Sequence, residues 1–105
     1  MKKLPLLFKP GSSTVRAVEF EFDPAKSETN REKHGIDFVE AQQLWQDQDA
    51  MVFPVSHPVE DRFILLARHC GKLWAAVFTP REDRIRIISV RRARKNEERH
   101  YHDDP

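Results

Sequence analysis

The chain has 105 residues, of which 33% are charged and 39% hydrophobic, and its formal net charge is +1. This length suits one domain that buries roughly 65% of its unfolded surface, and it excludes separate cofactor and substrate domains. A single cysteine, Cys70, excludes an internal disulfide framework and any cysteine-rich zinc site. The apolar stretch at residues 4–8 is too short for a signal peptide, and no run approaches the roughly 18 residues of a membrane span. We therefore expect a soluble protein of the cytoplasm.

The small net charge conceals a division along the chain. Residues 1–18 carry four basic side chains and no acidic one, and residues 19–61 carry eleven acidic against three basic side chains. Residues 62–105 carry eleven basic against six acidic side chains. Such a division predicts either partners of both signs or pairing of the acidic and basic parts within the fold, and the sequence leaves both open.

The first predicted elements follow from residues that break regular structure and from an alternation of apolar and acidic residues. Residues 1–17 contain prolines, a glycine and serines without periodicity, which predicts a flexible N-terminal extension before a single domain over residues 18–105. Apolar and acidic residues then alternate from Val18 to Phe22, as in a half-buried strand.

Two helices are predicted next. Asp23 and Pro24 form an N-cap and a first helical residue, and Gly35 suits the end of that helix. Asp37 and Glu40 have the spacing of a capping box and open a second helix. Its core-facing residues are Phe38, Ala41, Leu44 and Trp45.

Four apolar runs then follow in quick succession. Residues 50–55, 62–68, 73–79 and 84–90 predict strands joined by short turns, which favours an antiparallel meander. A mostly charged helix over about residues 92–102 ends the chain. The predicted fold class is α+β, with a small antiparallel sheet, two N-terminal helices and a charged C-terminal helix, in the order β-α-α-β-β-β-β-α.

Arginines concentrate in the last strand and at its junction with the helix. Arg84 and Arg86 are two residues apart and project from one strand face, where two guanidiniums suit bidentate contacts to phosphates. Arg91 and Arg92 follow at the junction, where helix amides also favour anions. The pattern favours phosphate binding by Arg86 and Arg91, although a carboxylate from residues 19–61 is an alternative partner. On the helix itself, Arg94, Lys95 and Arg99 are more typical of a solvated face paired with Glu97 and Glu98.

Other positions have residue types suited to proton transfer. Lys33 and His34 close the first predicted helix, whose dipole favours a protonated imidazole, but the local pattern alone favours a plain C-terminal cap. Glu60 precedes Arg62 at a strand entry and suits either a general base or an ion pair. His57 lies in the preceding loop and is expected to be exposed.

Metal and cofactor signals are weak. His100, His102 and Asp103 have ligand types but lie in the last residues without a second ligand pair, so no metal site is predicted. The sequence has no glycine-rich phosphate loop, dinucleotide fingerprint or nucleophile elbow, and no cofactor is expected. Trp45 and Trp74 are expected in the core.

Several motifs stand in a fixed order over about residues 18–101. They are FEFDPAK at 20–26, Asn30 with Lys33-His34-Gly35, Asp37-Phe38-x-Glu40-Ala41, Glu60-x-Arg62, and RIISVRRA at 86–93 with Glu98 and Tyr101. In this order and spacing they resemble the BrnT family of bacterial toxins. The N-terminal extension departs from the compact pattern of that family.

The resemblance implies a RelE-like fold and a ribonuclease toxin of a type II toxin–antitoxin system that inhibits translation by cleaving RNA. It also implies a BrnA-type antitoxin with a ribbon-helix-helix DNA-binding part, so that DNA is bound only through the complex. No membrane partner is expected. The catalytic candidates are Lys33, His34, Glu60, Arg62, Arg86 and Arg91, and the RNA-binding candidates are Arg84, Arg92 and Arg94.

Cleavage of RNA through its own 2′-hydroxyl needs a base, an acid and cations around the phosphate, and it needs no metal. The base candidate is Glu60, the acid candidates are Lys33 and His34, and the cation candidates are Arg62, Arg86 and Arg91. The alternative functions are a non-catalytic nucleic-acid-binding domain and an antitoxin-bound corepressor that has lost nuclease activity.

Overall fold

The computed structural model describes residues 18–103, so the predicted extension at residues 1–17 lies outside the described residues. The elements are β1 (Glu19–Glu21), α1 (Pro24–His34), a 3-10 helix (Glu40–Gln46), β2 (Met51–Val55), β3 (Arg62–His69), β4 (Lys72–Arg81), β5 (Arg84–Arg92) and α2 (Lys95–Asp103). Within these residues the α+β class is confirmed, with five strands and three helices. None of these helices is long and apolar enough to cross a membrane.

The sheet is mixed, which corrects the prediction of an antiparallel one. Its strand order is β1-β5-β4-β3-β2, and the four strands of the meander, β2 to β5, are antiparallel as predicted. β1 pairs with β5 in parallel, with Glu19 opposite Arg84 and Glu21 opposite Arg86. The alternation in β1 predicts a strand but carries no information on its neighbour, because that neighbour lies more than sixty residues away.

The boundaries of α1 agree with the prediction because both ends are capped locally. The Asp23 carboxylate accepts a hydrogen bond from the Ala25 N–H at 2.8 Å. At the other end Gly35 adopts φ 81°, and its N–H donates to the Arg31 carbonyl at 2.9 Å. Glycine adopts this left-handed conformation without steric cost, so it ends the helix cleanly.

The second helix is shorter and more tightly wound than predicted. The Asp37 carboxylate accepts from the Glu40 N–H at 2.7 Å, as expected for the capping box, but the helix begins only at Glu40 and is of the 3-10 type. The buried residues Phe38, Ala41 and Leu44 recur every three residues, which is the repeat of a 3-10 helix.

The hydrophobic core lies between one face of the sheet and the first two helices. Trp45 and Trp74 are both buried there, as predicted, and Phe20 of β1 packs against the same cluster with Val18 and Phe22, which flank the strand. The alternation leaves the two glutamates of β1 on the other face of the sheet, hereafter the second face.

α2 packs against the second face. The Arg68 guanidinium lies 5.5 Å from the centre of the Tyr101 ring, and the rings of Phe53 and His100 are 5.7 Å apart. The Tyr101 hydroxyl donates to the Asp47 carboxylate at 2.8 Å. The helix starts at Lys95, later than predicted, because β5 continues through Arg92.

Candidate active site

A β-bulge in β5 changes which side chains face the core. Val77 of β4 pairs with Ser89, but the next residue of β4, Phe78, pairs with Ile87. Ile88 is therefore an extra residue in β5, and the alternation of side chains shifts by one position there.

The bulge places the strand arginines on one face. Ile85 and Val90 are both buried in the core although they are five residues apart. Without an extra residue an odd spacing would put them on opposite faces. Arg86 and Arg91, each adjacent in sequence to one of these core residues, consequently both project from the second face, as does Arg84.

The arginines at the start of β5 pair with the two glutamates of β1. Arg84 Nε lies 3.3 Å from Glu19 Oε1, and Arg86 Nη1 lies 3.1 Å from Glu21 Oε2. Glu21 also lies 3.5 Å from Arg81 and 3.8 Å from Arg84. The alternative of a carboxylate partner from residues 19–61 is therefore realised for Arg86 but not for Arg91, and Arg84 has such a partner as well. Three guanidiniums share two carboxylates, so positive charge remains in excess.

A second pair lies at the same end of the sheet. Arg62, the first residue of β3, donates through Nε to the Glu60 carboxylate at 2.8 Å. This hydrogen bond, followed by the charges of Arg62 and Arg81, holds the pKa of Glu60 below its usual value. Glu60 is therefore an anion at neutral pH. Arg81 influences Glu60 and also pairs with Glu21, so it links the two pairs.

His57 organises the loop before β3. Its Nδ1 accepts hydrogen bonds from the N–H groups of Val59, at 3.2 Å, and Glu60, at 3.4 Å. With Nδ1 as acceptor, the neutral ring carries its proton on Nε2. The ring is half-buried, not exposed as expected from the sequence. His57, Glu60 and Arg62 line a shallow cavity of about 340 Å³ between the end of β2 and the start of β3.

We call this group the charged cluster. It consists of Glu19, Glu21, His57, Glu60, Arg62, Arg81, Arg84 and Arg86, at the end of the sheet where β1, β3 and β5 begin. Cationic and anionic side chains alternate across it. Such an arrangement suits a phosphate that displaces carboxylates from guanidiniums.

Arg91 has a partner from its own end of the chain. Its two terminal nitrogens donate to the Glu97 carboxylate at 2.8 and 2.9 Å, and the Arg94 N–H donates to the same group at 2.8 Å. The two side chains are only 20% and 15% exposed. The pair joins the end of β5 to the first turn of α2.

The other basic candidates of this region are exposed. Arg92 lies with its guanidinium 5.6 Å from the centre of the Trp74 ring, a cation–π contact at the edge of the core. Arg94 presents its side chain to solvent.

Lys33 and His34 lie at the opposite end of β5 from the charged cluster. Both are exposed in the last turn of α1. The neighbouring buried Asn30 donates to the Val90 carbonyl at 2.8 Å, which fixes this turn beside the end of β5. The structure thus divides the sequence-based candidates. Glu60, Arg62, Arg84 and Arg86 lie at one end, and Lys33, His34, Arg91, Arg92 and Arg94 lie towards the other.

The family of the chain follows from comparison with known proteins. A family model described as the ribonuclease toxin BrnT of type II toxin–antitoxin systems matches residues 22–97. The chain belongs to the BrnT family. The matched segment includes α1, the 3-10 helix, strands β2 to β5 and the Arg91–Glu97 pair. No protein with curated annotation matches the chain significantly.

Four members of the charged cluster in this BrnT-family chain are not among the residues that the sequence predicts for the site: Glu19, Glu21, His57 and Arg81. Arg81 was assigned to a turn, whereas β4 extends to it and places it opposite Arg84 across a two-residue turn. A shorter turn at Glu82 and Asp83 would have predicted that pairing. His57 carries no motif, and its role depends on backbone N–H groups that only the folded loop presents.

Proposed function

We propose that this BrnT-family chain is a metal-independent endoribonuclease of RelE-like fold that cleaves RNA at the charged cluster and so inhibits translation. The observation that supports the proposal is the gathering of Arg62, Arg81, Arg84 and Arg86 around Glu60 and Glu21. Several guanidiniums on rigid strands match the charge that accumulates on a phosphate in the transition state.

The proposed reaction needs only proton transfers and charge stabilisation. The RNA 2′-oxygen attacks the adjacent phosphorus, the O2′–P bond forms and the P–O5′ bond breaks. The products are a 2′,3′-cyclic phosphate and a 5′-hydroxyl. One proton leaves O2′ for a base, and one is delivered to O5′ by an acid.

Glu60 is the proposed base. Its hydrogen bond from Arg62 keeps it ionised, but the same bond makes it a weak base. A phosphate that takes over the Arg62 guanidinium removes that bond and raises the basicity of Glu60 where it is needed. His57 is the proposed positioning residue, because its ring accepts the Glu60 N–H.

The basic residues at the other end of β5 are proposed to bind flanking RNA. Arg86 and Arg91 are five residues apart on one strand, roughly 16 Å at 3.3 Å per residue, so they would contact different phosphates. Lys33 and His34 lie towards Arg91. An acid role for either requires the RNA to present its leaving oxygen at that end of β5.

Cleavage of labelled RNA by the purified chain, with and without a chelator, tests the activity. We expect cleavage in both cases, and resistance of an RNA with deoxyribose at the cut site. Arg62→Ala and Arg86→Ala should each lower the rate by about 100-fold. Arg31→Ala is the matched control, because it removes the same charge from α1, where Arg31 pairs with Glu28, and should leave the rate unchanged.

The possible outcomes separate the alternatives. Cleavage that stops with chelator would contradict the metal-independent mechanism. RNA retention without cleavage would favour the non-catalytic binding domain. Failure of expression to arrest bacterial growth would favour the corepressor.

Two conservative variants separate the proton-transfer assignments. Glu60→Gln keeps the shape and removes the base, so we expect a loss of about 100-fold in kcat with a small change in KM. His34→Gln should change KM more than kcat if it binds flanking RNA. A loss of kcat in His34→Gln as large as the loss in Glu60→Gln would instead assign the acid role to His34.

The proposed protein partner is a BrnA-type antitoxin whose ribbon-helix-helix part binds DNA for the complex. The basic second face favours an acidic or amphipathic antitoxin segment that covers residues 62–99. Co-expression should then relieve growth arrest, and Arg84→Glu should weaken the complex. A complex insensitive to this charge reversal would place the antitoxin elsewhere.

A further inference from the structure

Three potential metal ligands meet at the end of the sheet remote from the charged cluster. They are Glu40 at the start of the 3-10 helix, His69 at the end of β3 and Cys70 in the following turn. His69 Nε2 lies 2.9 Å from Glu40 Oε2 and 3.5 Å from Cys70 Sγ. All three donor atoms lie within 4.8 Å of one another. We propose that these residues bind a zinc ion.

The separations are close to those of a tetrahedral zinc site. With Zn–S near 2.3 Å and Zn–N and Zn–O near 2.1 Å, sulfur and nitrogen ligands are about 3.6 Å apart, and nitrogen and oxygen ligands about 3.4 Å apart. The sulfur–nitrogen distance already agrees. The Glu40 carboxylate oxygen must move away from the His69 nitrogen by about 0.5 Å, and the Glu40 side chain is 50% exposed and has room to rotate.

The donor set selects the kind of metal. A thiolate, an imidazole and a carboxylate suit zinc, whereas magnesium and calcium prefer oxygen ligands alone. Glu40 and Cys70 are exposed, so a fourth position opens to solvent and is available to water. The His69 side chain is only 18% exposed, so the surrounding residues restrict the orientation of its ring.

The hairpin presents the thiol on a defined backbone. Cys70 and Gly71 have φ values of 53° and 77°, the two consecutive left-handed residues of a tight hairpin turn. The turn therefore keeps Cys70 beside the His69 ring. A metal ion here would join the 3-10 helix to the β3–β4 hairpin.

The site is remote from the proposed chemistry. β3 runs from Arg62 to His69, so seven residues, about 23 Å at 3.3 Å each, separate the two ends. The ion would stabilise the fold and take no part in cleavage, so RNA cleavage without zinc leaves this inference intact.

Cobalt substitution in the untagged full chain tests the site. Because Cys70 is the one cysteine in the sequence, a thiolate-to-cobalt charge-transfer band reports on that residue alone. We expect one ion per chain and displacement of cobalt by zinc. We also expect loss of the band in Cys70→Ser and at least tenfold weaker binding in His69→Gln and Glu40→Gln. His100→Gln is the matched control, because it removes an exposed histidine from α2, and should bind as the native chain does.

Thermal unfolding provides a second readout. Zinc should raise the Tm of the native chain and leave the Tm of Cys70→Ser unchanged, whatever the starting stability of that variant. Lack of a charge-transfer band, one ion shared by two chains, or unaltered binding in His69→Gln would overturn the inference.

Discussion

At the scale of single residues, one buried amide holds α1 against the sheet. Asn30 is 6% exposed, and its Nδ2 donates to the carbonyls of Ile36 and Val90, both at 2.8 Å. Its Oδ1 accepts from the Val90 N–H at 3.1 Å. A side chain of this size with donors and an acceptor in one plane satisfies three backbone groups that water cannot reach. This explains why an asparagine belongs at this position.

We expect Asn30→Ala to lower the free energy of unfolding by about 3 kcal/mol, because buried backbone groups lose their partners. Urea denaturation of the variant measures this loss. Lys26→Ala, at an exposed position of the same helix, should change the stability by less than about 0.5 kcal/mol. Equal stabilities of the two variants would contradict the anchoring role.

The sequence predicts most accurately the features that single residues form with their neighbours along the chain. The caps at Asp23 and Gly35 follow from neighbours along the chain, so the sequence predicts them. The sequence does not predict the partner of Arg86, because the pairing with Glu21 depends on the register of β1 against β5. The set of Glu40, His69 and Cys70 escaped notice for the same reason, since Glu40 and His69 are 29 residues apart.

At the scale of elements, α2 is attached to the sheet by few contacts of different kinds. The Arg91–Glu97 pair holds its first turn, and Tyr101 holds its last turn through Asp47 and Arg68. Burial, with the hydrogen bond to Asp47, raises the pKa of Tyr101, so its hydroxyl remains a donor at neutral pH. Such polar tethers make the docking of α2 sensitive to pH.

At acidic pH the docking of α2 depends on whether Glu97 is protonated. The Arg91 hydrogen bond holds the pKa of Glu97 below its usual value, so the pair stabilises the fold at neutral pH. That contribution, about 1 kcal/mol, is lost as pH falls below the usual glutamate range near 4.3. Glu97→Gln should lose it at pH 7 and show a flatter stability profile between pH 7 and acid, as measured by urea denaturation. Glu98→Gln is the control, and parallel profiles for Glu97→Gln and the native chain would contradict this role.

The short strand β1 restrains the arginines beside it. Glu21→Gln would release Arg81, Arg84 and Arg86 from a shared carboxylate, so we expect tighter RNA binding at low salt. One additional phosphate contact should steepen the dependence of log Kd on log salt by about 0.7.

Glu28→Gln gives the matched comparison, because it makes the same change of charge at an exposed pair on α1. It should leave both affinity and salt slope unchanged. Equal effects of the two variants would show that net charge alone, rather than the release of these arginines, governs binding.

At the scale of the whole molecule, the sequence predicts the class and the order of elements but not the assembly of the sheet. The meander is predictable because short turns force neighbouring strands to be antiparallel. The parallel pairing of β1 with β5 closes a loop of more than sixty residues, and nothing local specifies it. The charged cluster depends on this closure, which is why the sequence does not predict it as a group.

The distribution of charge sets the expected response to salt. If RNA contacts the four arginines of the charged cluster, log Kd should vary with log salt with a slope of about 3, at about 0.7 per phosphate for single strands. Fluorescence anisotropy with a labelled single-stranded RNA over a range of salt concentrations measures this slope. Affinity independent of salt would contradict phosphate binding by the second face.

The bulge at Ile88 adds one residue to β5 between Arg86 and Arg91. Inserting one more residue there would turn Arg91 and its charge towards the hydrophobic core and Val90 to the solvent side, whereas deleting Ile88 would remove the bulge and leave both on their present faces. Point substitutions along β5 change one side chain each, whereas an inserted residue exchanges the two faces of everything that follows. The strand should therefore accept many replacements of single residues, and the deletion of Ile88, better than an insertion between Arg86 and Arg91.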